Sequence, residues 1–243
     1  MVNELRDISV TAINENESLI MAADFAAGIG MLRKDQVEAD VRILASYTAR
    51  TAFMELITAG GAPKSAAIHN GCGAGAWEEI IDEIRKTAVE SRSGYIDISG
   101  SSETNMKLIQ SSLGVTAAGV VNNKNLRLKR TPPHAEFAAI GIPLVGEEVL
   151  KNEEQAVTWP QVLDLLNIEG IYEVVPCGSR GIIHELGLLQ ETNGIYQALK
   201  PTAQIDLNKS CGPSTSVLIS YHPDWEKKLA DDFDSKFHKI IYQ

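Results

Sequence analysis

The segment "IMAADFAAGIGMLRKD", residues 20–35, joins an apolar run to an acid and then to two glycines. An apolar run of this length predicts a buried strand, with Asp24 at its carboxyl end. The small residues that follow, including Gly28 and Gly30, would let a bulky ligand approach the backbone. The segment lacks the third glycine of a dinucleotide fingerprint and the lysine spacing of a Walker loop, so neither standard phosphate loop is predicted.

Strand and helix patterns alternate on both sides of this segment. The partly alternating stretch "ISVTAI" (8–13) predicts a strand before it. A helix is expected to begin near Asp40, because apolar or small residues then recur at spacings of three and four as far as Ala59. Further strands are predicted at 65–70, 95–100 and 113–121, and an amphipathic helix is predicted from Trp77.

A basic, proline-containing segment at 122–134 changes the composition, and we place a domain boundary there, giving domains 1–125 and 126–243. In the second half, Thr158 and Gln161 form a capping-box pattern that predicts a helix. Strands are predicted at 170–179, 203–207 and 214–221, and helices at 180–189 and 223–233. The expected fold class is α+β, with two α/β domains: an N-terminal mixed sheet with helices and a C-terminal α+β domain.

The composition limits the classes of function. The chain has 243 residues and a net charge of −10, which argues against binding to duplex nucleic acid. No stretch reaches the roughly 18 apolar residues of a membrane helix, and "MVNELRDISV" lacks the order of a signal peptide. Three cysteines lie far apart, a pattern typical of reduced thiols. We therefore expect a cytoplasmic protein that binds neither nucleic acid nor membrane.

Three further acids accompany Asp24 near predicted element ends. Asp7 precedes the first strand, Glu55 lies at the edge of the apolar stripe of the first helix, and Glu103 follows the strand at 95–100. Each has an ordinary interpretation as a surface acid, a helix-flank residue or a loop charge. Together they favour Mg²⁺, which takes oxygen ligands from a few carboxylates and substrate phosphates. Phosphoryl transfer needs mainly such positioning and charge neutralisation.

The order of the segments "RDISV", "SLIMAADFAAGIG", "ARTAFMELITAGGAP" and "YIDISGSSETN", then "LGVTAAGVV", resembles a known superfamily. It is that of aminoimidazole ribonucleotide synthetase, thiamine monophosphate kinase and selenophosphate synthetase. Within it, the chain is most similar to the α-ribazole kinases of cobalamin salvage, through "AADFAAGIGM", "GSSETN", "GIPLVGEEVL", "VPCGSRGIIHE" and "KSCGPSTS". The resemblance implies an ATP-dependent reaction with Mg²⁺ and a homodimer in which the N-terminal domains join their sheets.

The resemblance also implies roles for individual residues. Asp24 matches the acid at the end of the second strand, and Glu55 stands where relatives usually have Asp. Asp7 matches one member of an acidic pair whose other position is Arg6 here. The implied metal ligands are Asp7, Asp24, Glu55 and Glu103. The implied nucleotide contacts are Asp24, Gly28, Gly30, Lys34, Glu55, Ser101, Ser102 and Glu103, of which Asp24 and Lys34 are the candidate catalytic residues.

These observations lead to a first hypothesis and its alternatives. The first is a kinase that transfers the γ-phosphate of ATP to the 5′-hydroxyl of α-ribazole, with Lys34 neutralising phosphate charge. One alternative is a related kinase or synthetase with another small acceptor, such as an aminopyrimidine phosphate. The other is a sensor that binds ATP without turnover, which the irregular acidic set favours.

Overall fold

The computed structural model describes residues 6–243, and the chain divides into two compact units between Leu126 and Arg127. Each unit contains its own five-stranded sheet and its own helices. None of the helices in the described range is long and apolar enough to cross a membrane. The chain therefore has a mixed α+β architecture, as its sequence predicts.

A mixed sheet forms the centre of the first unit. Its strands are β1 (Ile8–Ala12), β2 (Glu17–Ala27), β5 (Ser65–Asn70), β6 (Asp97–Ser102) and β7 (Ser112–Asn122), and two short strands, β3 (Ile29–Gly30) and β4 (Val37–Glu38), pair outside it. The order is β1-β2-β7-β5-β6; β5 and β6 are parallel, and every other neighbouring pair is antiparallel. All five strands predicted from the sequence in this half are confirmed.

Two helices cover one face of this sheet. The first, α1 (Val41–Thr58), begins after Asp40, whose side chain accepts a hydrogen bond from the backbone N–H of Arg42 at 2.8 Å. It packs on β2 and β7, and α2 (Trp77–Glu90) packs against α1. Alternate residues of β2 are therefore buried, whereas those on the opposite face, such as Phe25, are exposed.

An antiparallel sheet forms the centre of the second unit. Its strands are β8 (Glu136–Ile140), β9 (Ile171–Pro176), β10 (Pro201–Thr202), β11 (Val217–Tyr221) and β12 (Phe237–Tyr242), in the order β10-β12-β8-β11-β9. The helices are α3 (Glu147–Lys151), α4 (Trp159–Asn167), α5 (Gly181–Thr192) and α6 (Glu226–Phe233). The core forms where Ile182, Leu186 and Leu189 of α5 join apolar residues of the sheet.

The predicted strand at 203–207 is wrong, and β8, β12 and the two-residue β10 were not predicted from the sequence. Ala203, Ile205 and Leu207 do pack against the core, so their alternation reflects burial. The backbone carbonyl of Leu207, however, accepts a hydrogen bond from Ile183 in α5 at 2.9 Å, and the segment is irregular. The capping box at the start of α4 is confirmed, with reciprocal hydrogen bonds between Thr158 and Gln161.

Candidate functional site

Asp24 is the central residue of the candidate site; it lies inside β2, which continues to Ala27, so it is not the last residue of the strand as the sequence predicts. It shares the helix-covered face of the sheet with the buried Ala22, so its carboxyl group is largely removed from water. Burial raises the pKa of Asp24 to about 6; a hydrogen bond from the backbone of Phe25 opposes this rise, and the charge of Asp7 adds to it. A carboxyl group kept partly desolvated in this way is a candidate for a functional role.

Glu55 lies buried in α1, in an ion pair with Arg6. The Nη2 atom of Arg6 donates to Oε2 of Glu55 at 3.0 Å and to Oγ1 of Thr58 at 2.7 Å. Burial raises the pKa of Glu55 to about 7, although the charge of Arg6 opposes that rise. Arg6 is thus the partner of Glu55, a role that the sequence alone did not reveal.

The charges of Asp7 and Asp24 both raise the pKa of Glu55, which indicates that the three carboxyl groups lie near one another. Even so, residues 6–243 contain no group of three or more histidine, cysteine, aspartate or glutamate side chains that could hold a metal ion. The four acids of the sequence hypothesis therefore do not form one ready-made metal site within the described chain. For Glu55 the physical reason is that its carboxylate is paired with the guanidinium group of Arg6.

Glu103 caps its own loop after β6. Its Oε1 atom accepts hydrogen bonds from the backbone N–H groups of Asn105 at 2.6 Å and Met106 at 3.0 Å. These hydrogen bonds lower the pKa of this exposed carboxyl group; the bond from Met106 has the largest effect and the bond from Asn105 the next largest. Glu103 therefore stays charged at neutral pH and has a local structural role.

The loop after β2 is organised by Asp35, which the sequence analysis did not single out. Its carboxylate accepts hydrogen bonds from the backbone N–H and the hydroxyl of Ser111, each at 2.7 Å, and from the backbone N–H of Leu32 at 2.7 Å. A Cβ atom at Gly30 (φ +149°) would lie 2.3 Å from Oγ of Ser111. At Gly30, therefore, the missing side chain is needed for the packing of the loop itself.

Lys34 lies exposed in the same loop, and its backbone fixes the loop to the segment before β7. Its N–H donates to the carbonyl of Ile109, and its carbonyl accepts a hydrogen bond from the side chain of Gln110, both at 2.9 Å. Gly28 adopts a positive φ of 73°, and its N–H donates to the carbonyl of Ser111 at 2.8 Å. The backbone of Lys34 is thus held by hydrogen bonds, while its side chain is exposed to water.

Asn70, at the end of β5, organises the neighbouring glycine-rich turn. Its side chain accepts from the N–H of Cys72 at 2.8 Å and donates to the carbonyl of Gly73 at 3.0 Å and to the hydroxyl of Ser102 at 2.9 Å. Ser101 points to the opposite face, since successive strand residues alternate. An asparagine directly before a glycine-rich turn is the sequence signal that could have identified this role.

No family model matches the sequence, and no curated protein sequence matches it. Solved structures are similar in fold. A structure of AaThiL complexed with AMPPCP and TMP has a TM-score of 0.65 and 10% identity, covering 97% of this chain and 84% of that one. Thiamine-monophosphate kinase from Stenotrophomonas maltophilia has a TM-score of 0.60 and 15% identity, with coverages of 99% and 90%.

The HypE–HypF complex provides a third similarity, with a TM-score of 0.56, 15% identity and coverages of 96% and 87%. These similarities extend over nearly the whole chain, and at these identities they establish the fold alone. The protein therefore shares its mixed α+β fold with these solved structures.

Proposed function

We propose that the protein is an ATP-dependent small-molecule kinase that phosphorylates the 5′-hydroxyl of α-ribazole. The observation that carries the proposal is the desolvated carboxyl group of Asp24 in β2, close to Asp7, on the strand that leads into the exposed loop with Lys34. Support comes from the fold, since a similar structure is complexed with the ATP analogue AMPPCP and with TMP. The choice of α-ribazole rests on the sequence segments that resemble α-ribazole kinases.

In this proposal Asp24 and Asp7 bind the Mg²⁺ that accompanies ATP as co-substrate. One or two carboxylates together with substrate phosphates are a common set of ligands for this ion, so these two acids fit it. Glu55 is not assigned to the metal in this proposal, because its carboxylate is already paired with Arg6. Lys34 neutralises phosphate charge, and the nucleotide is bordered by the segment with Gly28 and Gly30 and by the end of β6 with the residue after it, Ser101, Ser102 and Glu103.

The reaction needs little covalent chemistry from the protein. The 5′-hydroxyl oxygen attacks the γ-phosphorus, the bond to ADP breaks, and the hydroxyl proton is released. The contributions of Asp24 and Lys34 are positioning and neutralisation of charge. Exclusion of water by the buried side of the site would strengthen both contributions.

Incubation of the purified protein with ATP, Mg²⁺ and α-ribazole tests the proposal directly. We expect α-ribazole 5′-phosphate, detected by mass spectrometry, and no product from the 5′-deoxy analogue. Phosphorylation of another nucleoside or of an aminopyrimidine phosphate, without product from α-ribazole, would overturn the acceptor and retain the kinase class.

A sensor that binds ATP without turnover is the second candidate, and the buried Arg6–Glu55 pair favours it. An internal cation beside the acids reduces their combined charge and so their attraction for a metal ion. The two candidates are separated by calorimetric titration with ATP and Mg²⁺ alongside a turnover assay over several acceptors. Binding without turnover on any acceptor would support the sensor and contradict the kinase.

We further propose a homodimer formed through the open face of the first sheet. Met21, Phe25 and Val120 are 37%, 67% and 45% exposed on this face. Small, uncharged residues lie between them: Thr116 of β7 pairs with Ala23 of β2 on one side and with Ala67 of β5 on the other. An apolar face of this kind would be covered well by a second copy of itself.

Three free cysteines fit the cytoplasmic location that the sequence predicts.

A further inference from the structure

A pocket lies in the second unit, where α4 ends and β9 begins. Its volume is about 540 Å³, and two arginines of the basic segment 122–134, Arg127 and Arg130, line it. The chain as a whole carries a net charge of −10, so this arginine pocket is a local excess of positive charge. None of the residues that line it belongs to the acids or the loops of the proposed kinase site.

The side chain of Arg127 is held at the wall of the arginine pocket. Its Nη2 atom donates a hydrogen bond to the backbone carbonyl of Leu166, in the last turn of α4, at 2.7 Å. A guanidinium group carries several N–H donors, so this bond leaves others for a ligand. In the part of the chain that the structure describes, no carboxylate forms an ion pair with Arg127. A half-buried guanidinium group that is fixed in place without an anionic partner is preorganised to bind one.

Arg130 lines the same pocket, and a buried carboxylate fixes its backbone. Its N–H and that of Thr131 both donate to Oε1 of Glu173, at 3.0 Å and 3.1 Å. Burial, followed by the charge of Arg130, lowers the pKa of Arg127, which indicates that the two guanidinium groups lie near each other. The fold thus keeps two like charges together, and an anion between them would offset their repulsion.

Polar groups of another kind line the rest of the arginine pocket. The hydroxyl of Tyr172 lies 3.2 Å from Nε2 of His134, and burial raises its pKa, so that it stays protonated. Asn167 donates through Nδ2 to the carbonyl of Leu163 at 2.8 Å, which leaves Oδ1 as an acceptor. The exposed Glu169 adds a carboxylate. Such acceptors do not suit the anionic end of a ligand, but they do suit hydroxyl groups.

We propose that the arginine pocket binds a phosphorylated polyol, such as a sugar phosphate, with its phosphate group between Arg127 and Arg130. The hydroxyl groups of the ligand lie against Asn167, Glu169 and Tyr172. Guanidinium groups match phosphate oxygens in geometry, and two of them neutralise a dianionic monoester. A volume of about 540 Å³ is in the range of pockets that hold small molecules, and it far exceeds what a phosphate ion requires. None of these residues takes part in the proposed kinase reaction, so the inference is independent of it.

The test is calorimetric titration of the unaltered protein with ribose 5-phosphate, inorganic phosphate, ribose and gluconate at low ionic strength. We expect ribose 5-phosphate to bind about tenfold more tightly than inorganic phosphate, and ribose to show no measurable binding, because the phosphate group supplies most of the attraction. Gluconate, a polyhydroxylated carboxylate with a single charge, should bind at least about tenfold more weakly than ribose 5-phosphate. If ribose 5-phosphate binds no more tightly than gluconate or inorganic phosphate, the proposed class of ligand is wrong.

Three variants test whether binding occurs in the arginine pocket. R130Q should weaken the binding of ribose 5-phosphate about tenfold. R85Q removes the same charge from an exposed arginine of α2, and it should change the affinity by less than about twofold. E169Q should strengthen the binding of inorganic phosphate about two- to threefold and lower the preference for ribose 5-phosphate, because an amide does not repel the anion and accepts less strongly from hydroxyl groups.

The opposite changes expected for R130Q and E169Q cannot both arise from a folding defect. The proposal is overturned if ribose 5-phosphate does not bind at millimolar concentrations, or if R130Q and R85Q bind it equally well. It is also overturned if E169Q weakens the binding of inorganic phosphate and ribose 5-phosphate alike.

Discussion

At the scale of single residues, removal from water determines the properties of the acids in the first unit. Asp24 and Glu55 both have carboxyl groups whose pKa values are raised by burial, to about 6 and about 7. Their charged forms are therefore less favourable in the folded protein than in the unfolded chain. Such a cost is retained where a ligand or a reaction needs the charge.

Replacement of Asp24 by asparagine should abolish turnover and stabilise the fold. The folded pKa of Asp24 lies above the unfolded value of about 4, so the native state binds more protons between these two values and stability falls as pH rises through them. The penalty is complete above about pH 7. D24N removes it, and we expect about 1–3 kcal/mol of added stability at pH 8 and little near pH 4, measured by urea unfolding.

A gain in stability that is the same at pH 4 and pH 8 would contradict this explanation. D224N is the matched control, because Asp224 is an exposed aspartate of the second unit, and it should leave both stability and turnover unchanged. If D24N retains full metal-dependent turnover, Asp24 does not serve the proposed reaction.

Replacement of Arg6 should destabilise the fold more at high pH than at low pH. The variant R6M leaves Glu55 buried without its cation, and we expect a loss of about 3 kcal/mol at pH 8. The loss should be smaller at pH 5, because protonated Glu55 no longer needs a counter-charge. Thermal unfolding at both pH values measures the difference.

The double variant R6M/E55L is the control for this prediction. With both charges removed, much of the lost stability should return, because two apolar side chains can replace a buried ion pair at little cost. A double variant that is less stable than R6M at pH 8 would show that the pair is not the source of the effect.

At the scale of secondary structure, the contact between β5 and β6 depends on a glycine. A Cβ atom at Gly100 (φ +158°) would lie 2.2 Å from the backbone carbonyl oxygen of Ile68. Backbone atoms held in a sheet cannot move aside as a flexible side chain could. The parallel pairing at this point thus requires the absence of a side chain.

The variant G100A should therefore destabilise the first unit by about 3 kcal/mol or more, because it combines a steric overlap with an unfavourable φ. G75A is the matched control in the same unit, since a Cβ atom there meets nothing within 4 Å. Chemical denaturation of both variants tests the comparison. Equal stabilities would contradict the assigned contact.

The wrong strand at 203–207 and the missed strand β12 have one physical cause. Residues 203–207 alternate like a strand, yet they are not part of a sheet, and the carbonyl of Leu207 accepts a hydrogen bond from Ile183 of α5. In contrast, β12 forms because its backbone pairs with β8 and β10. Alternation reports which side chains are buried, and it carries no information about the partner of the backbone groups. Strong local signals, such as the caps of α1 and α4, were predicted correctly.

At the scale of the whole molecule, the open face of the first sheet should determine the oligomeric state. The double variant M21K/V120K places two charges on that face, and we expect the proposed dimer to dissociate, as measured by light scattering during gel filtration. The control is V89K on α2, which is 70% exposed on the other side of the unit. A monomeric unaltered protein, or an equal effect of V89K, would overturn the proposed interface.

The sequence by itself determined the mixed α+β class and most strands and helices, because these depend on residues close together in the chain; it placed the end of β2 at Asp24, three residues too early. Only the tertiary structure decided which side chains meet. Arg6 pairs with Glu55 49 residues away, and Ser111 binds Asp35 across 76 residues. Such contacts determine whether a carboxyl group is free, neutralised or desolvated, and burial depends on the folded arrangement of the entire unit.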